Sequence, residues 1–561
     1  MTATMNPLNR LARLAAVGRR TRQVLLLAGA TGLLVGLLVA GFERLVREDM
    51  VETLRRQDHW LVAFCPLAGL VLAAACLKWV AGGSTPSTAD EYIKNFHDNE
   101  RRLDERPVVG RILASIATLG SGGAMGFEGP SIYMGAAVGS AIQRRLSALF
   151  SRDDAKVLLV CGAAAGVAAI FKAPATGVVF ALEVPYQDDL ARRMLLPAAI
   201  AAAASYLVFV ALAGTTPLLP VTGTAPFDLR DLGGAVVLGL LCGVGARVFV
   251  VAITRAKRMA AAGGPWVRAV GAGAVLAGLW WASYQLTGEG LTFGPGYNAL
   301  RWALDPNRAV GLVLGLFVLR ALATVATIGG GGAGGLFIPL VIQGALLGRA
   351  VGGLFDQSGT TLFPVLGIAA FLGAGYRVPL ASVMFVAEFT GRPGFVVPGL
   401  VAAVVAQLVM GRASASPYQV RGRVGHLERR FTLPVTTALQ TDLLTMPPDA
   451  TVAEFVWQHL VGTRQTSVAV VDGTSYLGMV GLAELGAVPR EDWETTPVTE
   501  IMRTDLPTGR VDWVLRDAVT AMEAADVDRL PVLDASGCFV GVVTTDEILA
   551  LDDILEQAGG E

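Results

Sequence analysis

One carboxylate, Glu128, stands in the segment GSGGAMGFEGPSIYMGAAVG, between a glycine-rich break and an apolar helix. Pro130 suits the first turn of that helix, where its missing N–H is harmless. The free amides and positive dipole end of such a helix attract an anion. Glu128 is an anion that the protein itself can supply there. The plain alternative is a capping glutamate, but an ionisable residue at membrane depth is by default a functional candidate. GGGGAGGLFIP, Gly329 to Pro339, repeats the design without a carboxylate, and leaves the amides of Leu336 and Phe337 free to face an anion. Its glycine run alone also reads as close helix packing. A phosphate loop is excluded, because no Lys-Ser/Thr follows. GGSTP, Gly82 to Pro86, offers the hydroxyls of Ser84 and Thr85, or an ordinary turn. Tyr418, in GRASASPYQV, offers a phenol, or an interfacial aromatic anchor. The shared chemistry is the holding of a small anion by neutral donors.

These residues recur in a pattern. GFEGP (Gly126 to Pro130) and GLFIP (Gly335 to Pro339) are each followed by a second common element. Pro174 has Phe180 six residues on and Glu183 nine residues on, and Pro379 has Phe385 and Glu388 at the same offsets. The chain therefore reads as two related halves. Paired Gly/Pro-interrupted segments at matching positions point to broken helices whose ends meet near a membrane midplane around a solute.

The composition requires such a setting. Of 561 residues, 53% are hydrophobic, too many for a soluble chain of this length. Long apolar runs begin near Val24, Leu61, Leu195, Leu232, Ala269 and Val310, several reaching the roughly 20 residues that span a bilayer. The runs after Pro130 and Pro174 are shorter and suit tilted or re-entrant helices buried in protein. The net charge of −1 hides an asymmetry: Phe431 to the end carries −16, and the preceding residues +15. The acidic stretch reads as a separate soluble unit. Arg10, Arg13, Arg19, Arg20 and Arg22 precede the first apolar run, and Arg421, Arg423, Arg429 and Arg430 precede the tail. Such clusters favour the cytoplasmic side, so both termini are expected there. The N-terminal apolar run lacks the small-residue cleavage site of a secretory signal. Five scattered cysteines and four unpaired histidines argue against a zinc or iron site.

GGSTP, GFEGP, GLFIP and the late SPY, in that order, resemble the anion-binding elements of the CLC chloride channel and transporter family. GAAAGVAAIFKAPATGVVFALEV (Gly162 to Val184) and YRVPLASVMFVAEFT (Tyr376 to Thr390) resemble its characteristic helices. The match covers roughly Val24 to Tyr418. It implies an α-helical inverted-repeat bundle of tilted and broken helices, assembled as a homodimer with one anion path per subunit. By that resemblance Ser84 and Tyr418 are the central hydroxyl donors, and Leu336 and Phe337 the amide donors. Glu128 is the gating glutamate, and Gly126, Phe127 and Gly129 around it count with the anion-binding residues. Three departures stand out. Ser84 lies two residues before its proline, where the family's GSGIP has three. The arginine common before the gating glutamate is Phe127. Val184 occupies the position of the internal proton glutamate of proton-coupled members. Lys172, in FKAP, is unusual too, and at a cytoplasmic mouth it would gather anions or snorkel.

The tail reads as two βαβ-like units. SVAVVD and YLGMVGLAEL follow the helix TVAEFVWQHL, and RLPVLDASGCFVGVVTTDEIL follows RDAVTAMEAA. This resembles a CBS pair, an α/β tandem, whose members often hold adenine nucleotide through a hydroxyl and an acid three residues later. Thr544 and Glu547, with Asp546, occupy those places in the second copy, and Gly481 and Glu484 in the first. The acidic charge disfavours phosphate, which leaves dimerisation as the plainer role. The expected organisation is a cytoplasmic segment 1–23, a membrane domain 24–420, a linker 421–432 and CBS domains 433–561.

The function expected on these grounds is passive, chloride-selective conduction gated by Glu128, in a multi-pass protein of the cell membrane, because valine at 184 cannot relay a proton. A proton-coupled chloride exchanger with a non-standard internal path is the alternative. A CBS-bearing magnesium transporter is remoter, since it needs intramembrane carboxylates that are scarce here. An enzyme needs a nucleophile–base or metal constellation, and none is apparent. No cofactor is expected, and no nucleic-acid partner.

Overall fold

The computed structural model describes residues 7–98, 103–150, 156–215, 228–262, 264–306, 308–355, 359–422, 431, 433–441, 445–462 and 467–558. The side chains of Arg10, Arg13, Arg19 and Arg20 lie outside the described residues, as do Arg423, Arg429, Arg430 and most of the expected 421–432 linker. The chain divides into two units, Met1–Gly422 and Arg423–Glu561.

The first unit opens with α1 (Pro7–Glu43), which runs through a widened turn into α2 (Glu52–Arg55), then α3 (His59–Ala75) and the short α4 (Ala89–His97). A five-helix set follows: α5 (Glu105–Gly120), α6 (Glu128–Arg145), α7 (Val157–Phe171), α8 (Pro174–Glu183) and α9 (Leu195–Ala213). After α10 (Leu229–Ala261), α11 (Pro265–Thr287) and α12 (Tyr297–Leu304), the set recurs. Its second copy is α13 (Val310–Gly329), α14 (Phe337–Gly352), α15 (Leu362–Tyr376), α16 (Pro379–Thr390) and α17 (Val396–Met410). Among the described residues, seven helical stretches are long and apolar enough to cross a membrane, whereas α7, α8, α15 and α16 are shorter. Every residue of α7 and α15 is buried, as expected of helices that are apolar all round. They reach α6 and α14 through glycine. A Cβ on Gly135 would strike the Gly162 carbonyl, and one on Gly344 the Gly367 carbonyl.

Reciprocal hydrogen bonds join the two sets. The Gly126 and Gly335 backbones pair with each other, N–H to carbonyl both ways, at 2.9 and 2.8 Å. The Thr327 hydroxyl accepts from the Ala124 amide and the Thr118 hydroxyl from the Ala333 amide, each at 3.1 Å. The shared glutamates complete the scheme. Glu183, at the end of α8, accepts from the Leu380 and Ala381 amides that open α16. Glu388, in α16, accepts from the Ala175 and Thr176 amides that open α8, and from the Thr176 hydroxyl. Each half thus caps a helix of the other. Pro174 and Pro379 sit in the first turn of those helices, where a missing N–H leaves nothing unpaired. Lys172 and Arg377 precede them in the left-handed conformation, at φ 53° and 57°.

In the second unit, β2 (Thr445–Met446), β3 (Ser467–Asp472) and β4 (Ser475–Gly481) form one sheet. A second sheet has the order β1-β7-β6-β5, with β1 at Leu439–Gln440, β5 at Gly509–Arg510, β6 at Arg529–Leu533 and β7 at Phe539–Thr544. Each sheet has its own apolar core, one around Val468, Val470 and Val480, the other around Leu530, Val532 and Val543. The strands match a CBS tandem.

Candidate functional site

The Gly126–Gly335 pairing brings the N-termini of α6 and α14 together, so the amides of both first turns converge. Glu128, the first residue of α6, is buried in that convergence. Its Oε1 accepts from the Phe337 amide of α14 at 2.5 Å. Its Oε2 is buried and has no hydrogen-bond partner among the described residues. A Cβ at Gly126 or Gly335 would collide with this carboxylate, so the two glycines form the floor on which it lies. Gly129 faces the Thr88 hydroxyl and the Gly334 carbonyl in the same way, at 2.6 and 2.8 Å from where a Cβ would stand. Phe127 is buried, edge-on to Phe42 and stacked on Tyr297.

A cavity of about 750 Å³ approaches the junction from one side, lined by Ser84, Thr85, Thr88, Leu336, Tyr376 and Tyr418 among others. It lies beside the C-terminal end of α3, and so on the side of the membrane from which α1 starts. Among the described residues, Lys78, Lys94, Lys257, Arg258 and Arg268 line it against a single acid, Asp90, which accepts from Lys257 at 2.7 Å. A cleft so biased raises the local concentration of anions.

The expected hydroxyl donors reach this cavity but are not poised alike. Ser84 donates to the Ala81 carbonyl at 2.7 Å. Arg111 pins the GGSTP loop by donating to the Thr85 carbonyl at 2.9 Å. Thr88, which the sequence analysis did not single out, donates to the Gly334 carbonyl at 3.2 Å. Tyr418 is 43% exposed, with the Lys94 ammonium 4.1 Å above its ring. Tyr376, also not singled out, is buried on the cavity wall, which it lines together with Leu336.

Val184 is buried at the C-cap of α8, beside Glu183, whose two oxygens are both taken by amides. Lys172 is not at the cavity mouth expected of it. Its ammonium donates to the Ala213 and Gly214 carbonyls at the end of α9, near Glu43 and Arg47 at the far end of α1. The FKAP junction is fixed by where α7 ends, and α7 ends on the opposite side.

In the tail, the Glu547 amide donates to the Thr544 hydroxyl at 3.3 Å, while the Glu547 carboxylate accepts from Gln440 at 2.7 Å. In the first copy the Gly481 amide donates to Glu484. The three-residue spacing of both pairs is that of a helix N-cap, and Asp546 lies in the first turn so capped.

Residues 68–411 match the family described as voltage gated chloride channel, and residues 498–553 match the CBS domain. The chain belongs to the voltage-gated chloride channel family. A relative in that family, the H(+)/Cl(-) exchange transporter ClcA of Yersinia pestis, is 26% identical over 432 residues, covering 73% of this chain and 90% of its own. A slow cyanobacterial Cl-/H+ antiporter superposes with a TM-score of 0.61 at 21% identity, over 69% of this chain and 94% of that one. A CLC-type fluoride/proton antiporter gives 0.57 at 23% identity, over 73% and 98%. These likenesses to solved structures show the fold.

The curated family relatives overturn the expectation of a passive channel, since the transporters matched over most of the membrane domain are exchangers. The physical reason is that Val184 removes one carboxylate from one position. A proton path also runs through water and through other groups, so a single apolar side chain does not exclude it.

Proposed function

We propose that this protein exchanges chloride for protons across the cell membrane. The observation that carries this reading is the Glu128 carboxylate, with Oε1 held by the Phe337 amide and Oε2 buried and unpaired. Chloride and this carboxylate are two anions suited to the same helix N-termini. A proton taken up on Oε2 neutralises the side chain and weakens its hold on the positive helix ends, which admits the anion. Loss of that proton draws the carboxylate back. One group thus alternates between proton carrier and gate. The basic cavity gathers chloride on the inner side, and water within it carries the proton that Val184 cannot.

In this reading both termini are cytoplasmic, the chain is a homodimer with one path per subunit, and the tail serves dimerisation. The Thr544 and Glu547 groups are engaged as a cap, which supports that role over nucleotide binding. The test is a chloride gradient imposed on proteoliposomes while external pH is followed. Uphill proton movement at a fixed ratio to chloride is expected. Chloride flux with no proton movement would overturn the exchange.

A further inference from the structure

Val184 cannot take up a proton, but a titratable ring stands one residue away. Pro185 accepts a hydrogen bond at 2.7 Å from Nε2 of His97. His97 is the last residue of α4, one turn beyond Lys94, which lines the basic cavity. The ring is half-buried and edge-on to Phe96 at 5.0 Å and to Tyr186 at 5.3 Å. A carbonyl oxygen only accepts, so Nε2 carries the hydrogen and the neutral ring keeps its lone pair on Nδ1. A proton added at Nδ1 leaves the bond to Pro185 in place. The ring can therefore load and unload without turning.

Among the described residues, the ionisable groups on the elements around His97 are engaged elsewhere. On α4, Lys94 pairs with Glu91 and the Tyr92 phenol donates to the Ala181 carbonyl, both at 2.7 Å. Asp98 interacts with Lys156 at the start of α7, and Arg144 at the end of α6 donates to the Leu103 carbonyl. In the loop after α8, Asp188 pairs with Arg377 at 2.7 Å and Asp189 accepts from the Leu190 amide.

A second feature lies behind Val184. Nε2 of Gln419 donates to the carbonyls of Val184 at 2.8 Å, Tyr186 at 3.3 Å and Tyr376 at 2.8 Å, which fixes the orientation of its amide. Its Oε1 is buried with no partner among the described residues. A buried acceptor of this kind is suited to a bridging water. Gln419 thus spans from Tyr186, which touches His97, to Tyr376 on the cavity wall. The basic side chains that gather chloride repel a proton from the same mouth. A proton entry set apart from them suits coupled exchange.

We propose that His97 is the inner proton-loading residue, standing in for the carboxylate that Val184 lacks. This rests on the chloride–proton exchange reading above. The proton passes from cytoplasmic water to Nδ1 of His97, then to water held at Oε1 of Gln419, and on to Oε2 of Glu128. Nδ1 recovers its lone pair and the ring is neutral again.

The experiment is the proton-to-chloride ratio in proteoliposomes under a chloride gradient, for the wild type and His97→Gln. Glutamine can keep a donor for the Pro185 carbonyl but does not titrate, so a merely structural role would leave the ratio unchanged. Loss of a positioned acid–base group costs on the order of 100-fold in proton transfer, so the ratio should fall by at least about tenfold while chloride still moves. An unchanged ratio, whether or not turnover slows, overturns the assignment and leaves the exchange reading intact. No proton movement by the wild type removes both. Should His97→Gln not fold, the full-length protein with His59, His426 and His459 each changed to Gln keeps His97 as its one histidine. Its ¹⁵N resonances should show Nε2 protonated throughout and Nδ1 titrating between about pH 5 and 8. An Nδ1 that does not titrate overturns the assignment.

Discussion

The five-helix sets α5–α9 and α13–α17 are mechanically alike and chemically unlike. Thr118 and Thr327, Gly126 and Gly335, and Glu183 and Glu388 do the same work in both directions across the junction. Three other matched positions do not: Phe127 against Leu336, Glu128 against Phe337, and Phe171 against Tyr376. The scaffold is therefore carried by the residues that repeat, and the chemistry by those that break the repeat. A carboxylate from one half lies on an amide of the other only because the equivalent position there has no carboxylate of its own.

This contrast can be broken or sharpened by substitution. The largest effect is expected at the asymmetric pair: Glu128→Gln keeps the shape but carries no proton, so proton movement in proteoliposomes should vanish while chloride flux persists and loses its response to pH. Retained proton pumping would place the gate elsewhere. Next come the symmetric caps. Glu388→Ala strands the Ala175 and Thr176 amides and Glu183→Ala those of Leu380 and Ala381, each costing on the order of 2–5 kcal/mol. Thermal survival of the detergent-solubilised protein should fall by similar amounts for both; a loss in only one would show that the halves are not mechanically equivalent. Gly344→Val and Gly135→Val push a side chain against a neighbouring helix backbone, at about 1–3 kcal/mol each, measured the same way. Smallest are Lys172→Gly and Arg377→Gly. Each relieves a left-handed backbone worth about 1 kcal/mol while losing polar contacts, so both midpoints should move by less than a few degrees.

Much of this was legible in the chain. Gly-x-x-x-Pro followed by Pro-x8-Glu reveals the duplication because a helix break needs particular residue types at a fixed spacing. ATLGSGGAMGFEGP against ATIGGGGAGGLFIP also aligns Thr118 with Thr327, a signal in plain view, but a buried threonine reads as helix until its partner 200 residues away is seen. The matched Glu183 and Glu388 were visible as a pattern and silent as to role, because a cap lent to a different helix leaves no local spacing. Tyr376 was hidden for a similar reason. It falls inside an apolar segment that reads as packing, and only the cavity distinguishes it from Phe171. Val184 teaches the converse, because the lack of a carboxylate at one position does not decide a mechanism.

The exchanged caps also set an order in time. The amides that open α8 find their acceptor in Glu388, 213 positions later in the chain. At roughly 5–20 residues per second on the ribosome, those N–H groups wait on the order of ten to forty seconds in a nascent protein before the partner exists. During that interval the first set cannot reach its final form, and whatever shelters its open helix end, lipid headgroup or insertion machinery, must yield when the second set arrives. The molecule is completed from its last third backwards.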